Sequence, residues 1–183
     1  MGLLHEILIT LWIMLPPYVA NGSAVVVGGG MPIDFRKNFI DGRRILGDGK
    51  TWRGFLGASL IAGAVLTVQS LIESCLKIHG PYSISPYIAF FLGVSFGVFA
   101  LLGDLSESFI KRRLNIERGR SVPVADQLDF VLSFILLTYI FYREWAITWL
   151  TPERVLIAYL ITPPLHIITN FLAYILGKKE VPW

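Results

Sequence analysis

The chain is short of the residues on which disulfide-held and soluble proteins depend. Cysteine occurs once, at Cys75, which excludes an intramolecular disulfide, and its apolar neighbours assign it to packing. With that single cysteine and three histidines, ligands for a zinc site are too few. Charge is also scarce. Only 16% of the 183 residues are charged, 54% are hydrophobic and the mean hydropathy is +0.62, which excludes an ordinary soluble domain. The N-terminus lacks the basic start of a secretory signal, having His5 and Glu6 instead, and Pro16-Pro17 interrupts the apolar run behind them. A retained span, broken at the prolines, is expected there. Low-complexity tracts and internal repeats are absent as well. What remains is one all-α integral membrane domain over residues 1–183.

Long apolar runs are abundant. Five stretches meet the need for roughly 20 apolar residues per membrane span. They are Leu3 to Val27, Phe55 to Leu76, Tyr82 to Leu102, Leu128 to Leu150 and Val155 to Leu176. In the fourth, only thirteen residues separate Asp129 from Arg143, so its ends must carry polar groups into the interface or a wet cavity. Basic residues fix the orientation. The loop Gly28 to Arg53 carries six Lys/Arg, the loop Asp104 to Asp126 carries five, and Lys178 with Lys179 closes the chain. By the positive-inside bias these two long loops and the C-terminus are cytoplasmic and the N-terminus is outside, as five spans require. Pro163-Pro164 removes two backbone donors and is expected to kink or break the last span. His166 and Asn170, four apart, then either partner the freed carbonyls or line a cleft for a lipid substrate.

Chemistry concentrates between the third and fourth runs. Asp104, Glu107, Ser108, Lys111 and Arg112 fall on one face of a helix, and Asp126 and Asp129 share a face of the next. Four carboxylates from two helices exceed what topology requires and point to a bound metal. Oxygen donors suit Mg²⁺, which is held by one or two carboxylates together with substrate phosphate oxygens. An isolated carboxylate at the hydrocarbon boundary is costly, so Asp104 needs a cation: Lys111, Arg112, a metal, or a combination. Gly119 and Pro123 are expected to turn the second pair of acids toward the first. Upstream, Gly28-Gly29-Gly30 and the segment Asp41 to Arg53 are rich in Gly and Asp, which argues for turns and close backbone approach to a ligand. Gly49-Lys50-Thr51 ends like a P-loop, but Arg44 stands where that motif needs Gly, and no βα unit flanks it. Arg43, Arg44, Lys50 and Arg53 can still hold phosphate, or serve only as topology charges. Asn21 is either a polar wall of the site or a helix cap. Acids for a metal beside bases for phosphate suggest phosphoryl or nucleotidyl transfer at a membrane surface.

The run Gly103-Asp104-x-x-Glu107-Ser108-x-x-Lys111-Arg112, then Pro123-x-x-Asp126-x-x-Asp129, resembles the signature of phosphatidate cytidylyltransferases. Gln127 replaces that family's Arg, and Glu117-Arg118-Gly119 stands where its Lys-Asp and His-Gly-Gly elements would be. The chain is more similar to the short archaeal branch, the CDP-archaeol synthases. The similarity runs through Leu15 to Asn21, Gly28-Gly29-Gly30-x-Pro32-Ile33-Asp34, Asp41 to Gly54, and Gly103 onward. It implies transfer of CMP from CTP onto an ether-lipid phosphate, 2,3-bis-O-geranylgeranylglycerol 1-phosphate, with Mg²⁺, giving CDP-archaeol and pyrophosphate. Asp104, Asp126 and Asp129 would then be metal ligands, and Glu107 would act beside them. Lys111, Arg112 and Lys50 would clamp phosphates. Arg43, Arg44, Thr51, Trp52, Arg53 and Ser108 would complete the substrate site. The expected partners are CTP, the lipid substrate and the bilayer of the cell membrane, with the active site facing the cytoplasm; no nucleic acid is expected. Two other readings place the acids differently. A CDP-alcohol phosphotransferase needs Asp-Gly-x-x-Ala-Arg and acids at spacing four, and a small transporter needs its acids at mid-membrane, not at one rim.

Overall fold

The computed structural model describes residues 2–116, 122 and 125–175, excepting the side chains of Ala125, Asn170, Leu172 and Ala173. Gly119, Pro123, Lys178 and Lys179 lie outside the described residues. The apolar runs fold as helices: α1 (Leu3–Val27), α2 (Trp52–Cys75), α3 (Pro86–Arg113), α4 (Ala125–Phe141), α5 (Arg143–Trp149) and α6 (Pro152–Ile175). Among the described residues, α1, α2 and α3 are long and apolar enough to cross a membrane. Their surfaces agree, since Leu60, Val68, Ile88 and Phe91 are exposed, and Leu132, Leu136 and Ile140 continue the apolar exterior on α4. The fourth run is not one helix. It ends at Phe141, and Tyr142 leaves helical geometry (φ −130°, ψ 47°) just before Arg143 and Glu144 begin the short α5.

Two capping residues start the middle helices. Thr51 accepts the Gly54 N–H at the head of α2, and Ser85 accepts from Ile88 at the head of α3, where Pro86 takes the first helical position. The two helices then meet along small residues. A Cβ on Gly93 would stand 2.7 Å from the Ala62 carbonyl oxygen, and one on Gly97 would stand 2.9 Å from Ser59 Cα. Backbones this close gain dispersion contact without help from hydrophobic exclusion, which lipid does not supply. Beside this seam Phe96 is fully buried and rings gather round it, with centroids at 5.0 Å to both Phe134 and Trp145.

The proline pair in the first span does not break it. α1 remains helical through Pro16 and Pro17, although these cannot donate to the carbonyls of Trp12 and Ile13. Both orphaned oxygens are taken up by side chains: Gln69 Nε2 donates to Trp12 O at 2.7 Å, and Tyr82 Oη donates to Ile13 O at 2.8 Å. Buried Glu73 secures the same region, accepting from Trp12 Nε1 at 2.8 Å and from the Tyr82 N–H and Ser83 Oγ, each at 2.9 Å. The expected break is thus replaced by tertiary capping. Tyr82→Phe should strand the Ile13 carbonyl and cost about 1–3 kcal/mol, measured as a lower unfolding midpoint in detergent; an unchanged midpoint would contradict this account. α6 also stays helical through Pro163 and Pro164, from Pro152 to Ile175. Between the two helices, the Tyr18 and Thr162 hydroxyls lie 2.7 Å apart.

Candidate active site

The charged stripe is placed by one uninterrupted helix. α3 continues past its apolar run to Arg113, so Asp104, Glu107, Ser108 and Lys111 project from one face of its last turns. α4 starts at Ala125 and sets Asp126 and Asp129 on its first turns. Gly103 allows the helices to touch, because a Cβ there would collide with the Asp129 carbonyl oxygen and lie 2.7 Å from Ser133 Cβ. About one turn deeper, Ser133 Oγ donates to Phe99 O at 2.7 Å and locks the register. Asp104, Glu107 and Asp129 each bring one carboxylate oxygen within 4.8 Å of the others. Three hard oxygen donors at this spacing fit a divalent cation such as Mg²⁺. The helix spacing suggested Asp126 for the metal set with Glu107 beside it; in the folded chain Glu107 joins Asp104 and Asp129.

Two lysines pair with the acids. Lys50 Nζ reaches Asp104 Oδ1 at 2.5 Å from the preceding loop, so the compensating cation is neither Lys111 nor Arg112. Lys111 Nζ instead sits between Glu107 Oε1 at 2.5 Å and Asp126 Oδ1 at 2.7 Å. Asp126 also accepts the Val122 N–H at 3.1 Å, which fixes the carboxylate that steers Lys111. Asp129 Oδ1 accepts the Phe130 N–H at 2.7 Å.

The loop between α1 and α2 is irregular but ordered by its own residues. Pro32 bridges to Thr51 and Asn38 to Arg44 as isolated antiparallel pairs, and the Ile33 N–H bonds Lys50 O at 2.8 Å. Its hub is Asp34, which the sequence offered only as part of a motif. The fully covered Asp34 carboxylate accepts the N–H groups of Arg36, Leu46 and Gly47 at 3.0 Å, and pairs with Arg44 at 2.9 Å. These bonds hold Phe35 and Arg36 in left-handed geometry (φ 49° and 60°), uncommon for such side chains. Burial alone would raise the Asp34 carboxyl. The Arg44 guanidinium and the Gly47, Leu46 and Arg36 amides outweigh burial and hold it well below the usual carboxylate range. Its contribution is therefore complete above the unfolded pKa of about 3.9 and is lost only as pH falls through the folded value. Asp34→Ala should make the loop protease-sensitive at pH 7, whereas the wild-type loop should stay resistant down to about pH 4. Equal cleavage of the two chains at pH 7 would contradict this role.

A second residue, overlooked among the basic charges, fastens this loop to α3. Arg113 Nη1 lies 3.0 Å from Asp41 Oδ1, and Nη2 donates to the Arg44 carbonyl. Its guanidinium stacks on Phe39 and Phe109, 4.8 and 4.9 Å from their centroids. The other candidates divide. Arg44 is committed to Asp34 and Asp48, and Arg43 Nη1 donates to Arg113 O, so both build the loop. Thr51 is buried, accepts the Gly29 N–H at 3.2 Å and caps α2. Trp52 is 40% exposed beside Phe35, and Arg53 Nε donates to Val27 O at 2.7 Å. Ser108 is buried on the stripe, and Arg112 carries a buried Nε with no hydrogen-bond partner among the described residues, a donor suited to an anion. Asn21 is half-buried on α1 and His166 half-buried on α6; Asn170 lies one turn beyond His166, and its side chain is outside the described set. Along the neighbouring face of α3, Leu102, Leu105, Phe109 and Ile110 form with Leu46 an apolar groove of about 350 Å³.

Known proteins match this chain along nearly its whole length. Residues 3–183 match the CarS-like family model described as CDP-archaeol synthase. The CDP-archaeol synthase of Archaeoglobus fulgidus is 46% identical, over 99% of this chain and 100% of its own length. That of Methanocaldococcus jannaschii is 42% identical, over 95% of this chain and 96% of its own. A solved structure described as an intramembrane enzyme for archaeal membrane lipids biosynthesis superimposes with a TM-score of 0.69. It is 34% identical and covers 87% of this chain and 91% of that one. With carboxylates converging from two helices and similarity running from end to end, the chain belongs to the CDP-archaeol synthase family.

Proposed function

We propose that the chain forms CDP-archaeol by transferring CMP from CTP to the phosphate of 2,3-bis-O-geranylgeranylglycerol 1-phosphate, with release of pyrophosphate and with Mg²⁺ as cofactor. The observation that carries this reading is the meeting of Asp104, Glu107 and Asp129 beside Lys50 and Lys111, in a chain of this family. A lipid phosphate oxygen bonds to the α-phosphorus of CTP, and the bond from that phosphorus to the oxygen bridging to the β-phosphate breaks. The lipid phosphomonoester is already largely ionised near neutral pH, so the nucleophile needs no strong base. The difficulty is bringing two polyanions together. Lys50 and Lys111 lower that repulsion by donating to phosphate oxygens, and the Arg112 Nε supports the departing pyrophosphate. Mg²⁺ on Asp104, Glu107 and Asp129 would supply charge neutralisation at the α-phosphate. Asp126 keeps Lys111 aimed at the site. The loop Asp41 to Arg53 holds the nucleotide, with Trp52 or Arg53 near the base or ribose, and the groove beside Leu105 admits a lipid chain laterally.

The same reading places the charged end at the cytoplasmic rim of the cell membrane, with five spans, N-terminus outside and C-terminus inside. The six Lys/Arg between Gly28 and Arg53 support it. Purified protein given Mg²⁺, the lipid phosphate and CTP labelled at either the α- or the γ-phosphorus provides the test. Label should enter the lipid from the α-position alone. Transfer of γ-label, or no transfer with ether- or ester-linked phosphatidates, would overturn the proposal.

A further inference from the structure

Lys50 stands in an unusual position. Its ammonium rests on a carboxylate of the triple read above as the divalent-cation site, a reading on which this inference depends. Without the Lys50 ammonium, Asp104 would face Asp129 and Glu107 as a third neighbouring acid with no lysine against it, and like charges at this spacing repel. The formal charge of Asp104, Glu107, Asp126 and Asp129 with Lys50 and Lys111 is −4 + 2 = −2, which one divalent cation balances. The two lysines are held differently. Lys111 is 13% exposed and gripped by two carboxylates, whereas Lys50 is 27% exposed and, among the described residues, pairs with Asp104 alone. The backbone of Lys50 is fixed by the Ile33 N–H at 2.8 Å, so its ammonium can swing on a flexible stem while its Cα stays in place.

We infer that Lys50 is an exchangeable counter-ion: it neutralises Asp104 when no nucleotide is bound, and moves from Asp104 to the triphosphate when cation and CTP enter. Cation and nucleotide binding are then coupled through one ammonium. Each ligand favours the arrangement the other needs, and the coupling is reciprocal. It also keeps Asp104 from holding a cation tightly before CTP arrives.

Mn²⁺ binding to the full chain in detergent, without lipid or nucleotide, tests this by electron paramagnetic resonance of the free ion. Lys50→Met should bind Mn²⁺ about tenfold more tightly than wild type, or ~1.4 kcal/mol. Lys50→Arg keeps the charge, and Lys37→Met removes an exposed cation of the same loop; both should stay within about twofold of wild type. Wild-type or weaker affinity in Lys50→Met, with a normal melting midpoint, overturns the inference. Should that variant not fold, reductive methylation of wild-type lysines followed by mass spectrometry decides the matter: Mn²⁺ should raise labelling of Lys50 several-fold, and unchanged labelling overturns it. Asp129→Asn separates the two levels. If it binds Mn²⁺ as tightly as wild type, the cation-site reading fails and this inference with it. If it loses binding while Lys50→Met gains none, the exchange alone fails.

Discussion

Asp129→Asn is expected to lose CMP transfer almost completely while the chain stays folded. The side chain keeps its volume and can still accept the Phe130 N–H, so the start of α4 is preserved. What disappears is one charged oxygen of the triple with Asp104 and Glu107. Outer partners of metal ligands typically contribute about 10–100-fold, so loss of a ligand itself should exceed about 100-fold in kcat/KM. Raising Mg²⁺ should recover only part of it. Wild-type turnover in purified Asp129→Asn would remove this residue from the mechanism.

Gly103→Ala is the second large effect, and it acts through geometry. The added methyl would strike the Asp129 carbonyl and Ser133 Cβ, both on the rigid start of α4. Because the obstacle is backbone, relief requires α4 to move away from α3, carrying the Asp129 oxygen off the Asp104 and Glu107 oxygens. Overpacking of this kind costs about 1–3 kcal/mol. A misplacement near 1 Å at a reacting centre can lower the rate by roughly 100-fold. Gly22→Ala is the control, since a Cβ there meets nothing within 4 Å, and should leave stability and turnover unchanged. Normal activity in Gly103→Ala would show that the close approach of α3 and α4 is not what assembles the site.

Features that depend on local periodicity were legible before the structure. The stripe Asp104, Glu107, Ser108 and Lys111 follows from helix spacing alone, as does the pairing of Asp126 with Asp129. Features made by distant segments were not. Nothing in the spacing shows that Lys50, 54 residues earlier, would reach Asp104 in place of Lys111. Nor does it show that Arg113 would stack on Phe39, because among five basic residues in that loop it reads as a topology charge. The expected break at Pro16-Pro17 was a sound local inference that tertiary partners override. Gln69 and Tyr82 supply the two hydrogen bonds the prolines cannot. Asp34 illustrates the same limit, since its importance lies in three backbone amides that only the folded loop presents together.

The central claim is that acids from α3 and α4 share one divalent cation. Anomalous diffraction from crystals of the full chain grown with Mn²⁺ and CTP tests it most directly. The account predicts a peak within coordinating distance of Asp104 and Asp129 together, about 2.0–2.3 Å from an oxygen of each. A peak bound elsewhere, or none in crystals that hold the nucleotide, would contradict it.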